Sequence, residues 1–125
     1  MQQIGIDIVE LSCIGESLHA FGERFVERLY TEAESGYCRA NLDLEVERLA
    51  VRFAAKEAAI KALGLSETGV GFRDIEVVRQ PDGSSELQLH GRAKEAARRR
   101  GVHRCLVSLS HAGNYAIAVV ASLRD

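Results

Sequence analysis

The longest periodic stretch of the chain, residues 43–63, sets the frame into which everything else must fit. Val46, Leu49, Phe53, Ile60 and Leu63 recur at spacings of three, four or seven, with alanine abundant between them. That period marks a helix with one apolar stripe, and alanine has the highest intrinsic helix propensity. Gly64, just past the last apolar position, suits the left-handed residue that closes many helices. In a chain of 125 residues such a helix becomes the central element.

Residues 3–9 alternate instead. Ile4, Ile6 and Ile8 share one face, while Gly5, Asp7 and Val9 share the other, which predicts a strand. Two short helical stretches follow, the second announced by Thr31 and Glu34 in a capping-box pattern. After the long helix, residues 74–79 and 86–90 read as strands joined by a turn at Pro81-Asp82-Gly83. Residues 92–100 read as a helix stopped by Gly101. Residues 104–110 and 115–122 are β-rich, joined by a hairpin loop at residues 111–114. The expected class is α+β, one domain over residues 1–125, with an antiparallel-rich sheet packed against the long central helix.

Apolar residues make up 46% of the chain and charged residues 27%, an ordinary globular balance. The formal charge of −2 exerts no global pull on nucleic acid, so any anion site must be local. No apolar run approaches the roughly 20 residues that span a bilayer. The N-terminus has neither the basic nor the apolar region of a signal peptide, so a cytoplasmic protein is expected. Cys13, Cys38 and Cys105 form no CxxC pair, which disfavours a disulfide framework or a zinc site.

At 100° per residue, Phe53, Glu57 and Lys61 form one stripe of the long helix, and Arg52 and Lys56 a neighbouring one. Lys56 is also in register with Leu49, Phe53 and Ile60, which lays its stem on apolar surface. Read from the helix alone, Glu57 and Lys61 are an i,i+4 pair on a solvated face, worth about 0.2–0.5 kcal/mol. Asp7 changes that reading. An acid inside an apolar strand is costly unless it is paired or binds a cation. If the strand packs near the long helix, Asp7 and Glu57 share a hard cation. Mg²⁺ suits such a site, since it takes one or two carboxylates and completes its shell with waters and substrate phosphates. Arg52, Lys56 and Lys61 are then charges awaiting a polyphosphate, and His111, after Ser108-Leu109-Ser110, is a further phosphate donor. Arg98-Arg99-Arg100 closes a helix, where cations favour the dipole. No GxxxxGK[ST] sequence is present, which excludes a P-loop.

Gly5-Ile6-Asp7-Ile8-Val9-Glu10 resembles the GxDxxE opening of the holo-acyl-carrier-protein synthases. The run from Arg52 through Lys56-Glu57-Ala58 to Lys61-Ala62-Leu63-Gly64 is similar to their second signature, KEAxxKALG. Phe72-Arg73-Asp74-Ile75-Glu76-Val77 and Ser108-Leu109-Ser110-His111 match two more blocks, in order, so the resemblance covers essentially the whole chain. It implies the 4′-phosphopantetheinyl transferase fold, assembled as a homotrimer with active sites between subunits. It implies Asp7 and Glu57 as Mg²⁺ ligands, with Lys61 beside them in catalysis. Arg52, Lys56, Lys61 and His111 are implied as contacts to coenzyme A. The implied reaction moves the phosphopantetheine arm of coenzyme A onto a serine of an apo-acyl carrier protein for fatty acid biosynthesis. Glu57 or a metal-bound water would take the serine proton.

Two departures stand out. Cys13 occupies a place where the family often has an arginine facing the acidic carrier, although Arg24 and Phe25 match the carrier-facing pattern. KALG continues as Leu65-Ser66 rather than TG, in a loop near the nucleotide in the family. They leave open a dedicated polyketide or other carrier as partner. A non-catalytic coenzyme A-binding trimer is the alternative outside enzymes, and the intact Asp7, Glu57 and Lys61 oppose it.

Overall fold

The computed structural model describes residues 2–66 and 69–124. Strand β1 (Gln2–Glu10) leads into helices α1 (Leu11–Phe21), α2 (Glu23–Leu29) and α3 (Glu32–Arg39), then the long α4 (Glu45–Leu63). A hairpin of β2 (Ile75–Arg79) and β3 (Ser85–Leu89) follows, then α5 (Gly91–Arg99), β4 (Val102–Ala112) and β5 (Tyr115–Arg124). The antiparallel framework is divided: β1-β5-β4 form one sheet and β2-β3 a second. No helix among the described residues is long and apolar enough to cross a membrane.

Local chemistry accounts for the boundaries. The Thr31 hydroxyl accepts from the Glu34 amide while the Glu34 carboxylate accepts from the Thr31 amide, the reciprocal box expected at the start of α3. The single helical stretch expected before it is two helices, because Gly22, at φ +54°, turns the chain between α1 and α2. Helix α4 closes on Gly64 at φ +67°. Its expected first turn is a separate 3-10 turn, Leu42–Leu44, capped by the Asn41 side chain. His111, expected in the hairpin loop, belongs to β4, which runs on to Ala112.

Helix α4 is buried on most of its circumference, and Ala54, Ala55, Ala58, Ala59 and Ala62 are fully enclosed. One side of it meets the inner face of the large sheet, where Gly5 of β1 and Ala116, Ala118 and Val120 of β5 are buried. Small residues on both partners bring helix and sheet close enough for the Ser122 hydroxyl to donate to the Ala62 carbonyl at 2.9 Å. Gly5 makes the closest approach. A Cβ there would overlap the Ala58 carbonyl oxygen and sit 2.8 Å from the Ala62 nitrogen. The outer face of the same sheet is apolar yet uncovered: Ile4, Ile6 and Ile8 are 73%, 59% and 58% exposed, with Leu106 and Val119 beside them.

Candidate active site

Asp7 lies two residues beyond Gly5 on β1 and shares its face, so the contact that only glycine permits carries Asp7 against α4. There Lys61 Nζ donates to the Ile6 carbonyl at 2.9 Å and to Asp7 Oδ1 at 3.2 Å. Glu57, one turn before Lys61, is half-buried beside them. Its own burial and then the Asp7 charge push its carboxyl above the ordinary glutamate value, against the pull of Lys61. Asp7, Glu57 and Lys61 therefore form one electrostatic unit: two coupled carboxylates with one ammonium between chain and solvent.

That unit suits a hard cation on chemical grounds. Two like charges held together with a single ammonium leave an unmet negative charge. No group of three or more His, Cys, Asp or Glu among the described residues is placed to cage a metal. A cation here would keep open positions for water and phosphate oxygens, which is the habit of Mg²⁺.

A second cluster sits elsewhere on α4. A cavity of about 640 Å³ is lined by Tyr37 of α3, Arg48 and Arg52 of α4, Arg79 of β2, the Ser84-Ser85 turn and His111 of β4. Three guanidinium groups gather round the Tyr37 ring, at 4.1 Å for Arg48, 4.7 Å for Arg52 and 5.6 Å for Arg79. Arg79 Nη1 also donates to the Tyr37 hydroxyl at 2.6 Å, and Arg48 Nη1 to the Tyr37 carbonyl at 2.8 Å. Buried Arg52 Nε finds no acceptor among the described residues. Glu47 Oε1 lies 3.3 Å from His111 Nδ1 and balances only that corner. Three cations with one unmet buried donor make an anion receptor. Arg52 and His111 are thus brought together. The cavity wall does not include Asp7, Glu57 or Lys61, because positions 52 and 57 point about 140° apart round a helix.

Lys56 departs from expectation. Its side chain is fully buried, and Nζ spends its donors on Glu34 Oε1 at 2.8 Å and on the Phe72 and Ile75 carbonyls at 3.0 and 2.6 Å. Burial lowers its proton affinity while Glu34 opposes the change. An ammonium engaged this way has nothing left for a solvent-borne phosphate. The register with Leu49, Phe53 and Ile60 foretold where its stem lies; the acceptor at its tip was hidden in the capping box. Tyr37, Arg48 and Arg79 were also missed, since no local motif links residues brought together from three elements.

Ser17, Phe21, Arg24, Phe25, Arg28 and Leu29 line a separate groove of about 500 Å³ between α1 and α2. Cys13 is exposed one helical turn before Ser17, continuing the stripe of Ser17 and Phe21. Leu65 is buried and its amide bonds to the Ile60 carbonyl, so that departure joins the core below α4.

In this small α+β domain, Glu57 of the central helix thus faces Asp7 of β1 on one side, and a basic cavity opens on another. The chain belongs to the 4′-phosphopantetheinyl transferase superfamily, whose sequence model matches residues 3–120. The holo-[acyl-carrier-protein] synthase of Koribacter versatilis is 47% identical over 117 residues, 93% of each chain. That of Gloeobacter violaceus is 45% identical over 121 residues, 97% of this chain and 92% of the other. Among solved structures, the Chronobacterium ammoniagenes ACPS-CoA complex superposes with a TM-score of 0.89 at 28% identity, covering 100% of this chain and 98% of that one. The Helicobacter pylori holo-[acyl-carrier-protein] synthase in complex with coenzyme A gives 0.84 at 30% identity, covering 96% and 99%.

Proposed function

We propose that this chain transfers the 4′-phosphopantetheine group of coenzyme A to a serine of an apo-acyl carrier protein. The observation that carries the reading is the Asp7–Glu57–Lys61 unit, set on the family's two signature segments. The serine oxygen forms a bond to the β-phosphorus of coenzyme A. The bond from that phosphorus to the bridging oxygen breaks, and 3′,5′-adenosine bisphosphate leaves with the electron pair. Mg²⁺ held by Asp7 and Glu57 would supply charge neutralisation at the diphosphate. Lys61, anchored on Ile6 and Asp7, steadies the same charge. Glu57 or a water beside it accepts the serine proton. Arg52 and His111 hold the remaining phosphate, on the 3′ position of the ribose, in the basic cavity. Mass gain of several purified apo-carriers on incubation with coenzyme A and Mg²⁺ tests the proposal, and no gain on any of them would overturn it.

The separation of the carboxylate unit from the basic cavity supports an active site completed by a second copy. The uncovered face of Ile4, Ile6, Ile8, Leu106 and Val119 is the surface for that assembly, which we read as a homotrimer. Ile6 stands opposite Val119 in the sheet. Ile6→Glu should place a charge at the centre of this face, giving a monomer by light scattering and loss of transfer. A trimer that survives Ile6→Glu, or an active wild-type monomer, would move the interface elsewhere.

The groove between α1 and α2 is the proposed dock for the acidic carrier. Arg24 and Arg28 supply charge there, whereas Cys13 extends the stripe without any. Exposed ion pairs are worth up to about 1 kcal/mol each and act mainly on association. Cys13→Arg should therefore lower the KM for a fatty-acid carrier about threefold with little change in kcat, and Arg24→Ala should raise it. Both effects should shrink as salt rises from about 0.05 to 0.5 M, because the Debye length shortens. An unchanged KM in both variants at low salt would relocate the dock and favour a dedicated, non-standard carrier.

A further inference from the structure

Lys56, freed from direct phosphate contact, joins a buried network that reaches the same elements as the basic cavity. Lys56 on α4 is bonded to Glu34 on α3 and to carbonyls on either side of the turn into β2. Glu34 Oε2 accepts the Val77 amide of β2 at 2.9 Å. Thr31 extends the network: its amide donates to Glu34 Oε1 and its hydroxyl to Glu76 Oε2 at 2.7 Å. Each tied residue stands close to a residue of the cavity. Glu34 is three positions before Tyr37, Val77 two before Arg79, and Lys56 one turn after Arg52.

We propose that the Glu34–Lys56 pair is a positioning device for the basic cavity, fixing the relative placement of Tyr37, Arg52 and Arg79 and so the affinity for the phosphates of coenzyme A. The inference rests on the reading of that cavity as the coenzyme A phosphate site. Arg48, Arg52 and Arg79 repel one another around a single ring, and no carboxylate is paired with any of them among the described residues. Left to themselves they would spread apart, so a frame must hold α3, α4 and β2 at fixed spacing. Preorganised donors bind an anion without reorganising first, which is where affinity is gained. The carboxylate unit depends on this frame much less. Glu57 and Lys61 are oriented by the alanine-lined burial of α4, and Asp7 by the close packing at Gly5. Removing the pair should therefore act on KM for coenzyme A and leave kcat nearly alone.

Removing one partner would strand a buried charge, so the main variant changes both: Glu34→Gln with Lys56→Met. With circular dichroism unchanged, its Kd for 3′,5′-adenosine bisphosphate by calorimetry should rise about tenfold, as a displacement of roughly 1 Å can cause. KM for coenzyme A should rise by a similar factor and kcat change by less than about twofold. Arg79→Gln is the control and should weaken the same probe. If Arg79→Gln leaves the probe's Kd unchanged, the cavity itself has been misread. If Arg79→Gln weakens binding and the folded double variant does not, the positioning inference alone is overturned. A double variant that loses kcat while keeping KM overturns it as well. Should the double variant fail to fold, Glu34→Asp decides, since it keeps both charges and shortens one tie: a KM raised about threefold at constant kcat upholds the proposal, and an unchanged KM ends it.

Discussion

Glu57→Gln and Asp7→Asn are each expected to lower phosphopantetheine transfer about a hundred- to a thousandfold while the fold stays intact, a loss of the size seen when a preorganised group facing transition-state charge is removed. Both substitutions keep the side chain's shape and remove one of two charges. Asparagine at position 7 still accepts from Lys61, so the anchor of that lysine survives and the loss falls on the cation and the diphosphate. Stability should move the other way for Glu57. Its folded-state proton affinity lies above that of an unfolded glutamate. The associated stability is present below the ordinary glutamate value and is lost as pH rises through the raised one. The wild type loses it across that window, whereas glutamine does not titrate. Without divalent cation, Glu57→Gln should melt slightly above wild type at pH 7, and the gap should close as pH falls below the glutamate range. Near-normal turnover of either variant at saturating Mg²⁺ would remove Asp7 and Glu57 from the metal role.

The helical period of α4 and the alternation of β1 were legible because each is written within a single element, although the isoleucine face of β1 is the exposed one and Gly5 and Asp7 face α4. The capping box at Thr31 was legible for a similar reason, since all its atoms lie within four residues. Gly22 was not read as a break, because a glycine inside a helical pattern shows its φ only once the helices on both sides are placed. The site followed the same division. Asp7 stood out as an acid in an apolar strand, and Glu57 and Lys61 shared a helical stripe, so their meeting needed only that β1 pack on α4. Tyr37, Arg48 and Arg79 reach one cavity from α3, α4 and β2, and nothing in their spacing announces it. Lys56 shows the limit most clearly. Its signature position and positive charge suggested a phosphate, while the partner that claims it, Glu34, lies 22 residues away in another helix.

Gly5→Ala is the stability prediction with the largest expected effect. Position 5 sits at the closest approach of β1 to α4, and the atoms that a methyl group would meet are backbone: the Ala58 carbonyl and the Ala62 nitrogen. Neither can rotate away as a side chain would, and both belong to the C-terminal part of the buried helix. Gly5 is also paired with Val120 at the centre of the sheet, so the strand cannot shift alone. Either β1 lifts from the helix or the helix bends, and overpacking of this kind costs about 3 kcal/mol or more. Against a total stability of about 5–15 kcal/mol, that should lower Tm by roughly 10–20 °C. Because Asp7 follows two residues on, transfer should also fall in whatever protein remains folded. Gly15 in α1 is the control. A Cβ there meets only Val46 Cγ1, at an ordinary 3.9 Å, and alanine improves a helix interior, so Gly15→Ala should gain about 0.5–1 kcal/mol. Thermal melts of the two variants side by side separate the effect of the close approach from that of losing a glycine. An unshifted Tm for Gly5→Ala would mean that β1 does not need this approach, and the packing that brings Asp7 to Glu57 and Lys61 would have to come from elsewhere.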